Sequence, residues 1–300
     1  MTPTSSVEDR PARLSVGIIG AGRVGVVLAA ALAQAGHRVV AVSAVSDASR
    51  RRVDELLPGT PVLPPPEVLA AAELVLLTVP DDVLPGLVEG LVAAGDVRPG
   101  QLIVHTSGRY GVRVLDAATR AGALPLALHP AMTFTGRAED LVRLGGACFG
   151  ITAPEPLRPI AEALVVEMGG DPQWVAEDQR VLYHAALAGG ANHLATLVNE
   201  SVDLLRRCGV EEPERLLAPL LGASLDNALR SGDAALTGPV ARGDAGTVAA
   251  HIRELRAVSP HTAAAYVAMA RLTADRALAA GLLKPEAAEA LLDVLAEGGR

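Results

Sequence analysis

Residues 14–46 constrain this chain more than any other stretch. A short apolar run, Leu14-Ser15-Val16-Gly17-Ile18-Ile19, enters Gly20-Ala21-Gly22-Arg23-Val24-Gly25. An alanine- and leucine-rich stretch to Ala35 closes on Gly36, and a second apolar run, His37-Arg38-Val39-Val40-Ala41-Val42-Ser43, follows. The order is strand, glycine turn, helix, strand. In such a unit the first glycine permits the tight turn, the second lets the backbone approach a diphosphate, and the third lets helix and strand pack closely. The helix start then offers unpaired N–H groups and a partial positive charge. Gly20, Gly22, Arg23, Val24 and Gly25 are therefore the first candidate dinucleotide contacts. A membrane span is the competing reading of so apolar a stretch. Arg23 and the glycine turn interrupt it, whereas a spanning helix needs about 20 predominantly apolar residues in a row.

The first half keeps alternating. Helices are predicted over 49–57, 67–72, 83–94 and 111–121, and strands over 74–80, 101–106 and 125–128, with weaker strand signals at 147–152 and 172–175. The continuous apolar run at 74–80 suits a parallel strand covered on both faces. After Ala176 the pattern changes to long alanine- and leucine-rich helices, broken at Gly209, Gly238-Pro239, Ser259-Pro260 and Gly281. Residues 182–205 read as one long helix, apolar enough in its middle to be buried on most sides. The expected fold class is α/β: a doubly wound parallel Rossmann sheet followed by an all-helical C-terminal domain. The expected boundaries are a flexible tail over 1–13, a dinucleotide-binding domain over 14–177 and a helical domain over 178–300.

Half the residues are apolar but only 2% are aromatic, so the core must be built from Ala, Val and Leu. A net charge of -8 argues against a nucleic-acid surface. Cys148 and Cys208 form no CxxC and have no clustered histidines, so no metal is expected; both are predicted to be buried small hydrophobes in a reducing compartment. The polar residues 1–13 lack the apolar segment of a signal peptide. The expectation is a soluble, cytoplasmic protein with neither membrane nor nucleic-acid partners.

The end of the second strand reads Ser43-Ala44-Val45-Ser46, with no acid before Asp47 to bond a ribose 2′-hydroxyl. Ser46, Ser49 and Arg50, followed by Arg51 and Arg52, suit a 2′-phosphate, since arginine binds phosphate in a forked, charge-assisted way. NADP is therefore preferred over NAD. Asp47 on the ribose would reverse that choice, and a plain helix start with Ser49 as its cap is the bland alternative. Thr78, Val79 and Pro80 at one strand tip, and His105 and Thr106 at the next, complete the candidate cofactor contacts.

Ser107 and His129 end two strands, and Pro130 stiffens the backbone after His129. A histidine there can polarise a carbonyl or accept a hydroxyl proton, with Ser107 as its partner; capping a sheet end is the alternative. Farther on, His184, Ala188 and Asn192 fall at i, i+4 and i+8 on one helix face, with Gly189-Gly190 between them. Two mid-helix glycines imply a close approach to the backbone, by a ligand or another helix. His184 and Asn192 then either contact substrate or join a core polar network. Residues 237–244 read as a loop with Asp244 as the next helix's N-cap; Thr237 and Arg242 are candidate substrate contacts, Arg242 for a carboxylate, and His251 is a weaker candidate.

The segments GAGRVG, LLTVPDD, HTSG, LHPAMTF, LYHAALAGGANHL and LTGPVARGD together resemble the bacterial Rossmann-like proteins with a helical domain of unknown function 2520. That family is similar in build to pyrroline-5-carboxylate reductase, ketopantoate reductase and the 3-hydroxyacid dehydrogenases. The resemblance implies NAD(P)-dependent hydride transfer on small carboxylates, a substrate cleft between two domains, and homodimers built through the helical domain. Prephenate-type dehydrogenases carry a serine after one strand and a catalytic His-Pro after the next, a pattern that Ser107 and His129-Pro130 match. The hydroxyacid dehydrogenases and ketopantoate reductases use a helical lysine four residues before an asparagine. Asn192 matches the asparagine, but position 188 is alanine and Lys284 is the only lysine. The resulting expectation is an NADP-dependent oxidoreductase with histidine doing the proton work; a nucleotide-binding sensor or scaffold without catalysis is the alternative.

Overall fold

The computed structural model describes residues 13–299. The expected tail lies outside them except for Arg13, whose guanidinium pairs with Glu167. The chain runs β1 (Ser15–Ile19), α1 (Arg23–Gln34), β2 (Arg38–Ser43), α2 (Asp47–Leu56), α3 (Pro65–Ala71), β3 (Leu74–Leu77), α4 (Leu84–Ala93) and β4 (Leu102–His105). It continues through α5 (Asp116–Arg120), β5 (Leu124–Pro130), α6 (Glu139–Leu144), β6 (Cys148–Thr152), α7 (Arg158–Glu167), β7 (Asp171–Trp174) and α8 (Arg180–Ala188). A π turn (Gly189–His193) leads into α9 (Leu194–Arg207), α10 (Pro213–Ser231), α11 (Gly238–Arg242), α12 (Ala245–Val258), α13 (Pro260–Ala279) and α14 (Pro285–Gly298).

The strands form one seven-stranded sheet in the order β2-β1-β3-β4-β5-β6-β7. β2 and β3 flank β1 on opposite sides, so the winding reverses there. The carboxyl ends of β1 and β3 therefore form the topological switch point, where open α/β sheets bind ligands. The sheet is parallel except at β5/β6, which is antiparallel. Apart from that one pair, the doubly wound parallel sheet is the one expected. α6 has six residues and rises about 9 Å, too little to carry the chain back along β5.

Successive strand residues face opposite sides of the sheet. Val16, Ile18, Leu74, Leu76, Val104 and Leu126 enter one core with α1 and α7. Ile19, Val75, Leu77 and Ile103 enter the other with α3 and α4. Both faces are thus covered, as the unbroken apolar runs require. Cys148 and Cys208 are both exposed, contrary to the expectation of buried thiols. Cys148 opens β6 at its rim, where its Sγ lies near Asp171.

The described residues divide into two compact units, one ending at Ala191 and the other beginning at Asn192. The division falls beyond the expected seam near 177, because α8 packs its Arg180 and Tyr183 onto the sheet. Residues 182–205 are not one continuous α-helix: the adjacent glycines, poorer helix formers than any residue but proline, coincide with the π turn. Nor is this stretch buried. Leu182 and Leu197 are 68% and 54% exposed, and a Cβ on Gly190 would meet nothing.

In the second unit, Val248, Ile252, Val267, Ala274, Leu291 and Leu295 build a wholly aliphatic core. Asp244 and Ser259 cap α12 and α13 by accepting from Thr247 N and Thr262 N. Among the described residues no helix is long and apolar enough to cross a membrane. None of their His, Cys, Asp and Glu side chains cluster in threes or more so as to hold a metal ion.

Candidate functional site

The first half of the site is the glycine turn after β1. Gly20 has φ +99°, a left-handed conformation that glycine supplies at little cost. Gly20 N and Ala21 N both donate to Ser43 O of β2, which fixes the turn against the sheet. Gly22 is the N-cap of α1, without a side-chain cap and with no acid in the helix's first turn. The N–H groups that open α1 are therefore available to an anion. A Cβ on Gly22 would meet only Gly20 O, at 3.9 Å, so the space above the turn is open. A Cβ on Gly25 would overlap Thr78 Oγ1 and lie 2.6 Å from Gly20 O. Thr78, a candidate cofactor contact at its strand tip, donates its hydroxyl to Gly20 O at 2.6 Å and fastens β3 to the turn. Val79 is half-buried beside the second core, and Pro80 is exposed. Uncapped amides, open space above Gly22 and a first turn without an acid fit a dinucleotide diphosphate.

Ser46 and Ser49 are committed to each other. Ser49 N donates to Ser46 Oγ and Ser46 N to Ser49 Oγ, both at 3.1 Å, while Ser49 Oγ donates to Ser46 O at 2.7 Å. This capping box starts α2 and leaves Ser49 buried, so its hydroxyl is not the phosphate contact expected of it. Arg50 and Ser46 are exposed beside it. Arg52 turns toward the loop after β5: a Cβ on Gly136 would lie 2.9 Å from Arg52 Nε and 3.1 Å from Arg23 Cα. Asp140, wholly buried, shapes that loop by accepting from Thr135 N and Gly136 N at 2.7 Å each. These bonds outweigh its burial and hold its carboxyl below the usual carboxylate range.

The second half is built on β4, β5, β6 and α8. His129 on β5 pairs with Gly150 of β6. A Cβ on Gly150 would overlap Tyr183 Oη, so glycine makes room there for the tyrosine ring. His129 Nδ1 and Tyr183 Oη share a hydrogen bond of 2.9 Å. The His129 ring also meets Tyr183 and His184 edge-on, with centroids at 5.6 and 6.0 Å. Gly108 lies beside both histidines; a Cβ there would stand 2.7 Å from His184 Cδ2 and 2.9 Å from His129 Nε2. Burial first, then the charges of Arg180 and His184, push the His129 pKa down to about 4.

Arg180 lies behind this cluster at 1% exposure. Its Nε donates to Thr152 Oγ1 at 2.8 Å, and Nη2 donates to Ala127 O and Gly150 O at 3.0 and 3.2 Å. It thus laces β5 to β6 across the antiparallel seam. Its Nη1 is buried without a hydrogen-bond partner.

His105 is not a cofactor contact through its side chain, contrary to expectation. It is 0% exposed. Ser107 N donates to Nδ1 at 3.2 Å, which leaves Nε2 as the donor to Gly111 O at 2.9 Å. Burial is the main cause of its pKa falling to about 4. Ser107 is not held as the partner of His129 either: its Oγ accepts from Arg109 N and Tyr110 N, a local turn that stiffens the loop. Glu177, just before α8, accepts from Val112 N and Arg113 N and ties that loop to the helix. Thr106 is half-buried at the loop's start.

The structure thus brings Gly20, Gly22, Gly25 and Thr78 together at the switch point, and His129 with His184 over Gly108. Asn192, Thr237 and Arg242 belong to the second unit and are exposed. The π turn removes Asn192 from a simple i+8 register with His184. Residues 238–242 form α11 rather than a loop, because Pro239 sits where a helix's first turn tolerates it. His251 Nδ1 bonds Tyr266 Oη at 2.9 Å. Sequence reasoning missed Tyr183, Arg180, Glu177 and Asp140. The signal for two of them was present: Arg180, Tyr183 and His184 fall at i, i+3 and i+4, one helix face.

Residues 1–130 match the Rossmann-like domain, and residues 147–273 match the domain of unknown function DUF2520. No curated protein matches the chain in sequence. Among solved structures, a Bacteroides fragilis protein assigned as an NADP oxidoreductase is 22% identical, with a TM-score of 0.71 over 88% of this chain and 98% of its own. The reductive aminase from Aspergillus terreus in complex with NADPH and ethyl levulinate is 21% identical, with a TM-score of 0.64 over 94% and 99%. The pyrroline carboxylate reductase of Plasmodium falciparum, with NADP bound, is 12% identical, with a TM-score of 0.57 over 88% and 98%. At these identities the likeness is one of fold. With both halves matched, the chain belongs to the proteins that join a Rossmann-like domain to a DUF2520 domain.

Proposed function

We propose that the protein is an NADP-dependent oxidoreductase that moves a hydride to or from a small carboxylate-bearing substrate, a 2-oxo or 2-hydroxy acid or a cyclic imine. One observation carries the reading: a neutral, hydrogen-bonded histidine stands on the same sheet edge as an uncapped glycine turn. β5 is three strands from β1, roughly 14 Å along that edge at ordinary strand spacing. The likeness to folds solved with NADP or NADPH supports the cofactor, as do the exposed Arg50 at the start of α2 and Arg52 against the Gly136 loop beside Arg23. The diphosphate would lie on the amides of Gly22 to Gly25. NADP(H), when bound, supplies or takes the hydride.

The chain's own residues do the rest. Gly22 to Gly25 and Thr78 orient the nucleotide. His129, neutral at pH 7, is the final acceptor of the hydroxyl proton when an alcohol is oxidised. His184 borders the same space. Arg242 and Thr237 remain candidate substrate contacts from the second unit. A homodimer through the helical unit is part of the proposal, supported by exposed leucines on α10. The acidic charge and the unpaired thiols suit a reducing, cytoplasmic setting.

Calorimetry with NADPH and NADH, followed by NADPH oxidation against 2-oxo acids and cyclic imines, tests the reading. Tight NADPH binding with turnover that collapses in His129→Ala, while binding persists, is the expected outcome. Absence of binding to folded protein defeats the reading. Alanine at position 188, where some relatives in build carry a lysine, favours a nucleotide-binding sensor as the second reading. Binding without turnover on any substrate would select it.

A further inference from the structure

Reduction needs a proton donor, and a neutral imidazole that carries no extra proton is a poor one. The hydroxyl bonded to that imidazole supplies the alternative. We propose that the proton for reduction comes from Tyr183, with His129 returning it from solvent, and that Arg180 is the positioning residue whose unneutralised charge faces the phenolate that forms. This rests on the oxidoreductase reading above.

Three observations support the assignment. The Tyr183–His129 hydrogen bond, at 2.9 Å, is short enough for direct proton exchange. Gly150 leaves the tyrosine ring the space a Cβ would take. Arg180 is fixed by three hydrogen bonds, yet Thr152 and two carbonyls neutralise none of its charge. Its guanidinium carbon lies 5.8 Å from the Tyr183 ring centroid, and its Nη1 has no partner. A buried cation with no carboxylate bonded to it is costly, Glu177 acting only from a distance, and an anion forming beside it offsets that cost. The titratable groups around the pair are Arg180 and His184 of α8, His105 of β4 and Cys148 of β6, with Glu177 beyond Arg180. Burial raises the Tyr183 pKa, and Arg180 opposes that rise.

The step balances. The carbonyl or imine carbon gains the hydride from the reduced nicotinamide, and its π pair moves to oxygen or nitrogen. That atom takes the Tyr183 hydroxyl proton. The phenolate then accepts a proton relayed by His129.

Tyr183→Phe should lower turnover on any reducible substrate about 100-fold while leaving NADPH affinity unchanged. Independently of any substrate, imidazole NMR of the unliganded chain should show His129 neutral down to about pH 5, below the ordinary histidine pKa of about 6.5. Ultraviolet titration with Tyr183→Phe as the reference should isolate the Tyr183 hydroxyl. Arg180→Met should move both titrations upward, and Arg180→Lys, which keeps the charge, should restore them toward wild type. Thr152→Val removes a strut without touching the charge and should leave them in place. If Arg180→Met does not fold, the wild-type, Arg180→Lys and Tyr183→Phe measurements still decide. A His129 that titrates at 6.5, an unmoved pair in folded Arg180→Met, or full activity in Tyr183→Phe overturns the proposal. Failure to bind NADPH with these titrations intact would instead remove the cofactor reading.

Discussion

Gly22 and Gly25 lie three residues apart and answer to different constraints. Gly25 is required by the fold, because a side chain there would collide with Thr78 Oγ1 and Gly20 O. Gly22 has φ -77° and open space above it, so the unliganded fold accepts a methyl group. The diphosphate proposed to lie on the turn does not. Gly25→Ala should therefore cost about 1–3 kcal/mol of stability, read by urea denaturation. Gly22→Ala should stay within about 0.5 kcal/mol of wild type yet weaken NADPH binding at least tenfold by calorimetry. Equal affinity in Gly22→Ala would mean that the nucleotide lies elsewhere.

At the scale of elements, the β4 tip is a latch. His105 closes residues 107–111 through both ring nitrogens, and Glu177 closes the loop's far side. The latch works only with a neutral imidazole. The unfolded chain takes up a proton on this histidine near pH 6.5, the folded chain only near pH 4. Between those values the unfolded state binds more protons, so acidification destabilises the fold. The limiting slope is about 1.4 kcal/mol per pH unit for each such histidine, and His129 contributes in the same direction. Urea midpoints measured from pH 7.5 to 5 should fall, and His105→Gln, which keeps a donor for Gly111 O, should flatten the slope by about one proton. An unchanged slope would show that His105 is not held neutral. Sequence could not distinguish His105 from His129, since each ends an apolar strand. What separates them is cover: the turn at 107–112 encloses one, whereas the glycine at position 150 admits the Tyr183 hydroxyl to the other. The strands themselves were legible, because parallel strands buried on both faces must be continuously apolar. The pairing of Tyr183 with His129 depends on a contact between distant segments, which local pattern does not carry.

At the scale of the whole molecule, the aliphatic composition has a consequence at the surface. With 2% aromatics, a core of Ala, Val and Leu is built from many small contacts, and the leucines left over must go somewhere. On α10, Leu216 and Leu220 are 50% and 57% exposed, and Leu225 and Leu229 are 48% and 80% exposed. They form two i, i+4 pairs on a helix of 19 residues, about 28 Å long. The two pairs lie on opposite sides of the helix, and a homodimer that wraps α10 is the proposed occupant that would bury both. Fully burying each leucine contributes about 1.5–3 kcal/mol. Replacing Leu220 and Leu229 together by Glu should therefore weaken self-association at least 100-fold. Sedimentation velocity at micromolar concentration should show a dimer for wild type and a monomer for the double variant, with unchanged far-UV circular dichroism because both positions face solvent within one chain. A wild-type chain that sediments as a monomer, or a double variant that remains a dimer, would exclude α10 as the seam.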